Sequence, residues 1–238
     1  MKINIINKGL AVFAFVVAAM QLTSCQEDET LVFDTKPALY FPNYEKETSL
    51  RGIDSAYVSF FHNPGLNELT IPFKVSLVGQ ILKQDTEYRI EIIDSLTTAK
   101  SDEFELPEKL IFRKGVVADS LYVKVFKTAR LNTTDARVTI KLIENDNFGL
   151  AYYDKLIVKL RFDNLVSKPT WWDNEIDYVY MGLFSPEKFT VFVKVSGQSN
   201  IDGIEAWELR KICLDMKKYI ADNGITEADG SEMEIAAY

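Results

Sequence analysis

Lys155-Leu-Ile-Val-Lys-Leu-Arg-Phe162 decides the fold. In an extended chain Leu156, Val158, Leu160 and Phe162 fall on one side, and Lys155, Lys159 and Arg161 on the other. Period two with one polar face marks a strand that buries a single side, which is the habit of antiparallel sheets. The alternation recurs upstream. Ile71, Phe73, Val75 and Leu77 stand opposite Pro72, Lys74 and Ser76. Tyr88, Ile90 and Ile92, then Leu121, Val123 and Val125, then Val138, Ile140 and Leu142 repeat it. Shorter runs near residues 38–41, 55–61 and 109–113 bring the expectation to about eight strands, the number of an immunoglobulin-like β-sandwich. Turn chemistry separates them at Asn63-Pro64-Gly65, Lys114-Gly115 and Glu144-Asn145-Asp146-Asn147. Pro72 lacks an amide donor, so its strand is expected to begin there or to lie at an edge.

The pattern changes after Asp163. Lys168-Pro169-Thr170-Trp171-Trp172 reads as a boundary, and Tyr178–Phe184 as one more strand or extended segment. Ser185-Pro186-Glu187 has the chemistry of a helix start, with a capping hydroxyl, proline in the first turn and an acid beside it. A short helix is expected to follow and to stop near Gly197. Residues 205–222 predict a longer helix, because Ala206, Leu209, Cys213, Met216 and Ile220 share one face and Gly224 follows as a stop. Residues 225–238 are acidic and are expected to be loosely held. The expected fold is mainly β, an antiparallel immunoglobulin-like β-sandwich over 37–165 followed by a small, mainly helical α+β C-terminal region over 166–238.

The N-terminus places the chain. Lys2 and Lys8 precede an apolar run from Leu10 to Met20, and Leu22-Thr23-Ser24-Cys25 closes it. The run is too short for a hydrocarbon core that needs about 20 apolar residues, so it reads as a secretory signal over 1–24. The closing tetrapeptide resembles a bacterial lipobox, which implies lipidation at Cys25. Glu27-Asp28-Glu29 opens an acidic tether over 25–36 and is similar to the surface-export signal of Bacteroidetes lipoproteins. Two or more acyl chains hold a protein firmly to a membrane where one does not.

The whole chain carries 27 basic and 35 acidic residues. Removing Lys2 and Lys8 with the signal leaves 25 against 35, a net of about −10. That balance argues against nucleic acid, whose phosphates call for basic patches. The cysteines are Cys25 and Cys213 alone, so with Cys25 acylated no intrachain disulfide is expected.

Lys168-Pro-Thr-Trp-Trp172 and Met181-Gly-Leu-Phe-Ser-Pro-Glu-Lys188, taken with the lipobox and the sandwich, resemble an uncharacterised Bacteroidetes lipoprotein family, domain of unknown function 4843. Asp85-Thr-Glu-Tyr-Arg-Ile90, Phe104-Glu-Leu-Pro107 and Leu110-Ile-Phe-Arg-Lys-Gly115 are similar to Calx-β and fibronectin type III modules. The resemblance implies a lipid-anchored, cell-surface protein of the outer membrane, often encoded beside SusC-like transporters and SusD-like lipoproteins that import glycans. It supplies no mechanism.

No residue set suggests catalysis. His62, the only histidine, sits where a strand enters a turn and reads as a surface residue. Cys213 reads as a small core residue on its helix face. Glu144–Asn147 and Asp229-Gly230-Ser231-Glu232 offer oxygen atoms, but lack the full spacing of a calcium loop. A hairpin turn and a solvated tail are the preferred readings of the two, and neither a metal nor a cofactor is expected. Trp171, Trp172, Tyr178 and Tyr180 cluster at the boundary. Flat aromatic faces there could stack on a glycan, although a hydrophobic plug between the two regions is the preferred reading. The function expected is non-enzymatic: an accessory to SusC/SusD-like glycan capture and import. A structural or adhesive surface role is the alternative.

The variant Cys25→Ala is expected to leave the membrane fraction. Retention after carbonate washing would show that something other than an acyl anchor holds the protein.

Overall fold

The computed structural model describes residues 36–42 and 55–237. The signal, Cys25 and the tether up to residue 35 therefore lie outside the described residues. Eleven strands are described: β1 (Ala38–Tyr40), β2 (Ser55–Ser59), β3 (Glu68–Val78), β4 (Thr86–Glu87), β5 (Arg89–Ile92), β6 (Phe104–Glu105), β7 (Ile111–Phe112), β8 (Ala118–Phe126), β9 (Ala136–Ile143), β10 (Gly149–Leu150) and β11 (Ile157–Asp163). One sheet runs β10-β1-β3-β8-β6, the second β2-β11-β9-β5, and β4 pairs with β7. The alternating residues do what their period requires. Phe73, Val75, Leu121, Val123 and Val125 of one sheet pack in a single cluster with Val138, Ile140, Leu142, Val158, Leu160 and Phe162 of the other. The polar positions between them face outward, which makes the pair of sheets a β-sandwich.

Two features differ from the expectation of purely antiparallel pairing. β1 runs parallel to β10 and β2 parallel to β11. Alternation reports which face is buried and is silent on the direction of the neighbouring strand, so nothing local distinguishes these pairs. Pro72 lies inside β3, opposite Tyr122 of β8. β1 reaches only Ser76–Val78, so among the described strands β3 is flanked at Pro72 by β8 alone, as its missing donor requires.

One buried ion pair ties the β6 turn to the chain leaving β8. Glu103 is 1% exposed and accepts from Arg130 Nε at 2.8 Å, from Thr128 Oγ1 at 2.9 Å and from the Lys100 amide at 2.8 Å. Burial pushes its carboxyl up, but the hydrogen bonds from Arg130, the Lys100 amide and Thr128 outweigh it and hold it below the usual glutamate range.

Beyond β11 a second cluster forms. Two α-helices are described there, α1 (Pro186–Ser196) and α2 (Ala206–Asn223). Ser185 caps α1, accepting the Lys188 amide at 3.1 Å, and Gly197 ends it with φ 73°. Leu209, Cys213, Met216 and Ile220 of α2 are buried against Phe189 and Phe192 of α1. Two expectations fail here. Ile176–Tyr180 is one π-helical turn and not a strand, because Asp173 Oδ1 accepts the amides of Glu175 and Ile176 and winds the chain. The final segment is not loose: Met233, Ile235 and Ala237 are buried, Thr226 bridges to Glu232, and the Ala237 amide donates to the Tyr180 carbonyl at 2.8 Å. Phe61, just past β2, stacks on Phe189 with centroids 5.3 Å apart and joins the sandwich to this cluster.

Leu160→Ala, at a site with no exposed surface, is expected to lose about 2–5 kcal/mol in urea unfolding. Glu103→Gln is expected to cost about 1–3 kcal/mol near pH 7. A carboxyl whose folded pKa is depressed stabilises fully above its unfolded value of about 4.3 and less as pH falls through the folded one. The gap between wild type and variant should therefore close in acid; a gap constant from pH 7 to pH 3 would contradict the assignment.

Candidate functional site

The helix start at Ser185-Pro186-Glu187 sets Lys188 in the first turn of α1, and there the chain does something expensive. Lys188 is 4% exposed. A buried ammonium is tolerated only where acceptors surround it. Its Nζ donates to the Leu183 carbonyl at 2.7 Å and lies 3.6 Å from Glu227 Oε1. Glu227 comes from the final segment, so one ion pair fastens that segment to α1. Gly182 makes the approach possible. Its φ is 81°, and a Cβ there would stand 2.8 Å from the Glu234 carbonyl oxygen and 3.2 Å from Lys188 Nζ. Only glycine fits both the backbone and the space.

A cavity of about 840 Å³ opens at this place, lined among others by Asp177, Tyr178, Lys188, Lys217, Glu227 and Glu234. Its volume falls within the roughly 300–1,000 Å³ of small-molecule sites. Asp177 is 7% exposed, and its Oδ2 accepts from Lys168 Nζ at 2.5 Å. Its Oδ1 is buried without a hydrogen-bond partner, and so is Glu227 Oε2. An unpaired buried acceptor carries a penalty of about 1–3 kcal/mol, more on a charged group. Tyr178, in contrast, is 71% exposed and lines the same cavity as these carboxylates. Buried acceptors, a buried ammonium and an open aromatic face therefore share one concave surface.

The four aromatics expected at the boundary separate. Trp172 is 1% exposed, and its Nε1 donates to the Gly182 carbonyl at 3.2 Å. It cannot offer a face to a ligand: its area is worth more inside than stacked on a wet sugar, and this corrects its place among the ligand-binding candidates. Trp171 is half-buried, stacked on Trp172 with centroids 5.4 Å apart and packed against Phe192 at 5.3 Å. Tyr180 is half-buried on the same cluster. Of the four, Tyr178 alone lines the cavity. Lys188, Asp177 and Glu227 escaped sequence reading because they are charged residues in polar surroundings. Burial is decided by the segment that folds over them. The alternation of Met233, Ile235 and Ala237 was the one signal that could have revealed that segment.

The other candidates have structural settings. His62 is not a free surface residue: it is half-buried at the joint, edge-on to Phe189, with Nε2 2.9 Å from the Ser167 carbonyl and 3.2 Å from Ser167 Oγ. A carbonyl only accepts, so in this arrangement Nε2 carries the proton and cannot take one from the Ser167 hydroxyl. Burial pushes the Cys213 thiol up to about 12, which leaves it a thiol near neutral pH. Asn145 Oδ1 accepts the amides of Asn147 and Phe148, and both asparagines donate to the Glu87 carbonyl, so these side chains build a turn. Asp229 Oδ1 accepts from the Ser231 amide and hydroxyl. Among the described residues no group of three or more His, Cys, Asp and Glu is placed to hold a metal, and no helix is long and apolar enough to cross a membrane.

The chain belongs to the family described as domain of unknown function DUF4843, which matches residues 33–198. The cavity is thus built partly from matched residues, such as Asp177 and Lys188, and partly from the unmatched α2 and final segment. No curated protein matches the chain. Among solved structures it is similar to a protein of unknown function from Bacteroides ovatus, at 12% identity and TM-score 0.38, over 52% of this chain and 43% of that one. A candidate carbohydrate binding protein from Bacteroides ovatus matches at 8% identity and TM-score 0.37, over 54% and 37%. The CBD12 module of CALX1.2 matches at 14% identity and TM-score 0.35, over 62% and 50%. The chain spans about half or less of each of these structures, and likeness at this level carries no chemistry across.

Gly182→Ala is expected to force the final segment off α1, at a cost of about 1–3 kcal/mol for the left-handed backbone plus the close contact. Amide exchange over residues 226–237 should quicken while β8 and β9 stay protected. Unchanged exchange there would show that the close approach does not hold the segment.

Proposed function

We propose that this is a lipid-anchored, non-catalytic protein of the outer-membrane surface that holds a glycan in the cavity beside Tyr178, as an accessory to a SusC-like transporter and a SusD-like lipoprotein. One observation carries the glycan reading. Asp177, a carboxylate 7% exposed with an unpartnered oxygen, lines the same cavity as a tyrosine that is 71% exposed. Sugars present hydroxyl groups that donate to carboxylates and accept from ammonium groups, together with C–H faces that stack on an aromatic ring. The cavity supplies all three counterparts: Asp177 and Glu227, Lys188, and Tyr178. The anchor is supported by the lipobox ending at Cys25 and the acidic residues behind it.

A partner protein needs a face of its own. Trp207 is 70% exposed and Leu214, seven residues on along α2, is 44% exposed. Seven residues are close to two helical turns, so both sit on one stripe. Exposed tryptophan is the residue type most enriched among energetic anchors of interfaces.

Titration calorimetry of the mature chain against a panel of oligosaccharides should find a binder, and Tyr178→Ala should weaken it on the order of tenfold, about 1.4 kcal/mol. Failure of every glycan would end the capture reading. Affinity purification from gently solubilised outer membranes should recover the transporter and its binding lipoprotein with the wild type and lose them with Trp207→Ala. Recovery of the wild-type protein alone would favour an independent structural or adhesive role.

A further inference from the structure

The charges that line the cavity are unequal. Four carboxylates, those of Asp177, Glu227, Glu232 and Glu234, face two ammonium groups, those of Lys188 and Lys217. The two sets are arranged in layers. At the floor the charges are matched: Lys188 lies 3.6 Å from Glu227, and Lys168 reaches Asp177 from outside the lining. The final segment sets the rim by its alternation. Met233 and Ile235 turn inward and are buried, which turns Glu232 and Glu234 outward, and both are exposed. Among the described residues Lys217 is the one lining cation left against these two acids, and no arginine lines the cavity.

We infer that the cavity selects uncharged glycans and rejects acidic ones. The inference rests on the glycan reading above and narrows its ligand class. A uronate or sulfated sugar would pass a rim of like charge to reach a floor whose buried ammonium already has its charge matched by Glu227, though an N–H remains for a neutral hydroxyl. No planar guanidinium waits there for its carboxylate or sulfate, which is the usual means of holding such groups. The buried atoms that lack partners, Asp177 Oδ1 and Glu227 Oε2, are both acceptors. They are satisfied by donors, and a hydroxyl brings one where an ionised acid brings none. An amine would bring donors as well, but Glu227 and Asp177 are already charge-matched by Lys188 and Lys168, so its charge finds no unpaired partner at the floor. A bare divalent cation lacks the three-carboxylate cluster it would need among the described residues.

The test is calorimetry of the mature chain with three classes of probe at low and high salt. Cellohexaose, maltohexaose and mannohexaose are the neutral probes, oligogalacturonate and a heparin-derived hexasaccharide the acidic ones, and a glucosamine hexamer the cationic one. At least one neutral probe should bind tenfold or more tighter than either acidic probe. The preference should shrink as salt rises, because repulsion at an exposed rim is screened within about 10 Å at 0.1 M. It should also shrink in the Glu232→Gln/Glu234→Gln variant, with thermal melting to show that the fold persists. Acidic probes that bind as well as the neutral ones, or a cationic probe that binds better, would overturn the inference and leave glycan capture standing. A preference untouched by salt and by the double variant would assign selectivity to shape and overturn the charge argument. Silence from all three classes would remove the glycan reading and this inference with it.

Discussion

Exclusion of water from between two sheets is the constraint on which everything else in this chain depends. A sheet apolar on one side only cannot remain alone, and here each sheet finds its complement in the other. Phe73, Val75 and Val123 meet Ile140, Leu160 and Phe162 with almost no surface left exposed. At roughly 25 cal/mol per Å², such side chains contribute about 1.5–3 kcal/mol apiece. The outward positions are thereby released for charge. The sandwich is rigid because its interior is full, and a rigid body is what a protein needs to hold a binding surface in a set direction.

The C-terminal cluster meets the sandwich through aromatic contacts and holds its own final segment through a buried charge. Phe61 leaves β2 and stacks on Phe189 of α1, so the position of the helix is referred to the sheet. Trp171 and Trp172 fill the space behind, which is why their large areas are spent on packing. Lys188 then acts in the opposite sense. An ammonium cannot be buried without acceptors, and the Leu183 carbonyl and Glu227 provide them. The final segment is drawn over α1 by the need to pair that charge and by the burial of its own alternate residues. A concave, partly polar surface results where the final segment crosses α1.

Legibility followed the range of the interaction. The strands around Ile71–Leu77, Leu121–Val125, Val138–Leu142 and Leu156–Phe162 were readable because period two repeats over several residues and needs no partner to be seen. Both helices were readable from caps, Ser185 and Gly197 for α1 and Gly224 for α2, since a cap is a local hydrogen-bonding problem with few solutions. The parallel placement of β1 and β2 was not, because strands more than 100 residues apart share no local signal. Tyr178–Phe184 misled, as alternate tyrosines suit a strand while Asp173, upstream of them, winds the turn.

Of the site, the sequence by itself determined that aromatic residues gather at the end of the sandwich, and family membership was legible in the Pro-x-Trp-Trp and Gly-x-Phe-Ser segments. Which aromatic faces water was decided only in three dimensions. Trp172 is closed off by Gly182 and Phe184, whereas Tyr178, six residues later, is left open on the outside of a single helical turn. Periodicity and capping are properties of neighbours in the chain, so they survive in the sequence. Exposure, charge pairing and cavities belong to residues brought together from afar, and Asp177, Lys188 and Glu227 acquire their character from that meeting alone.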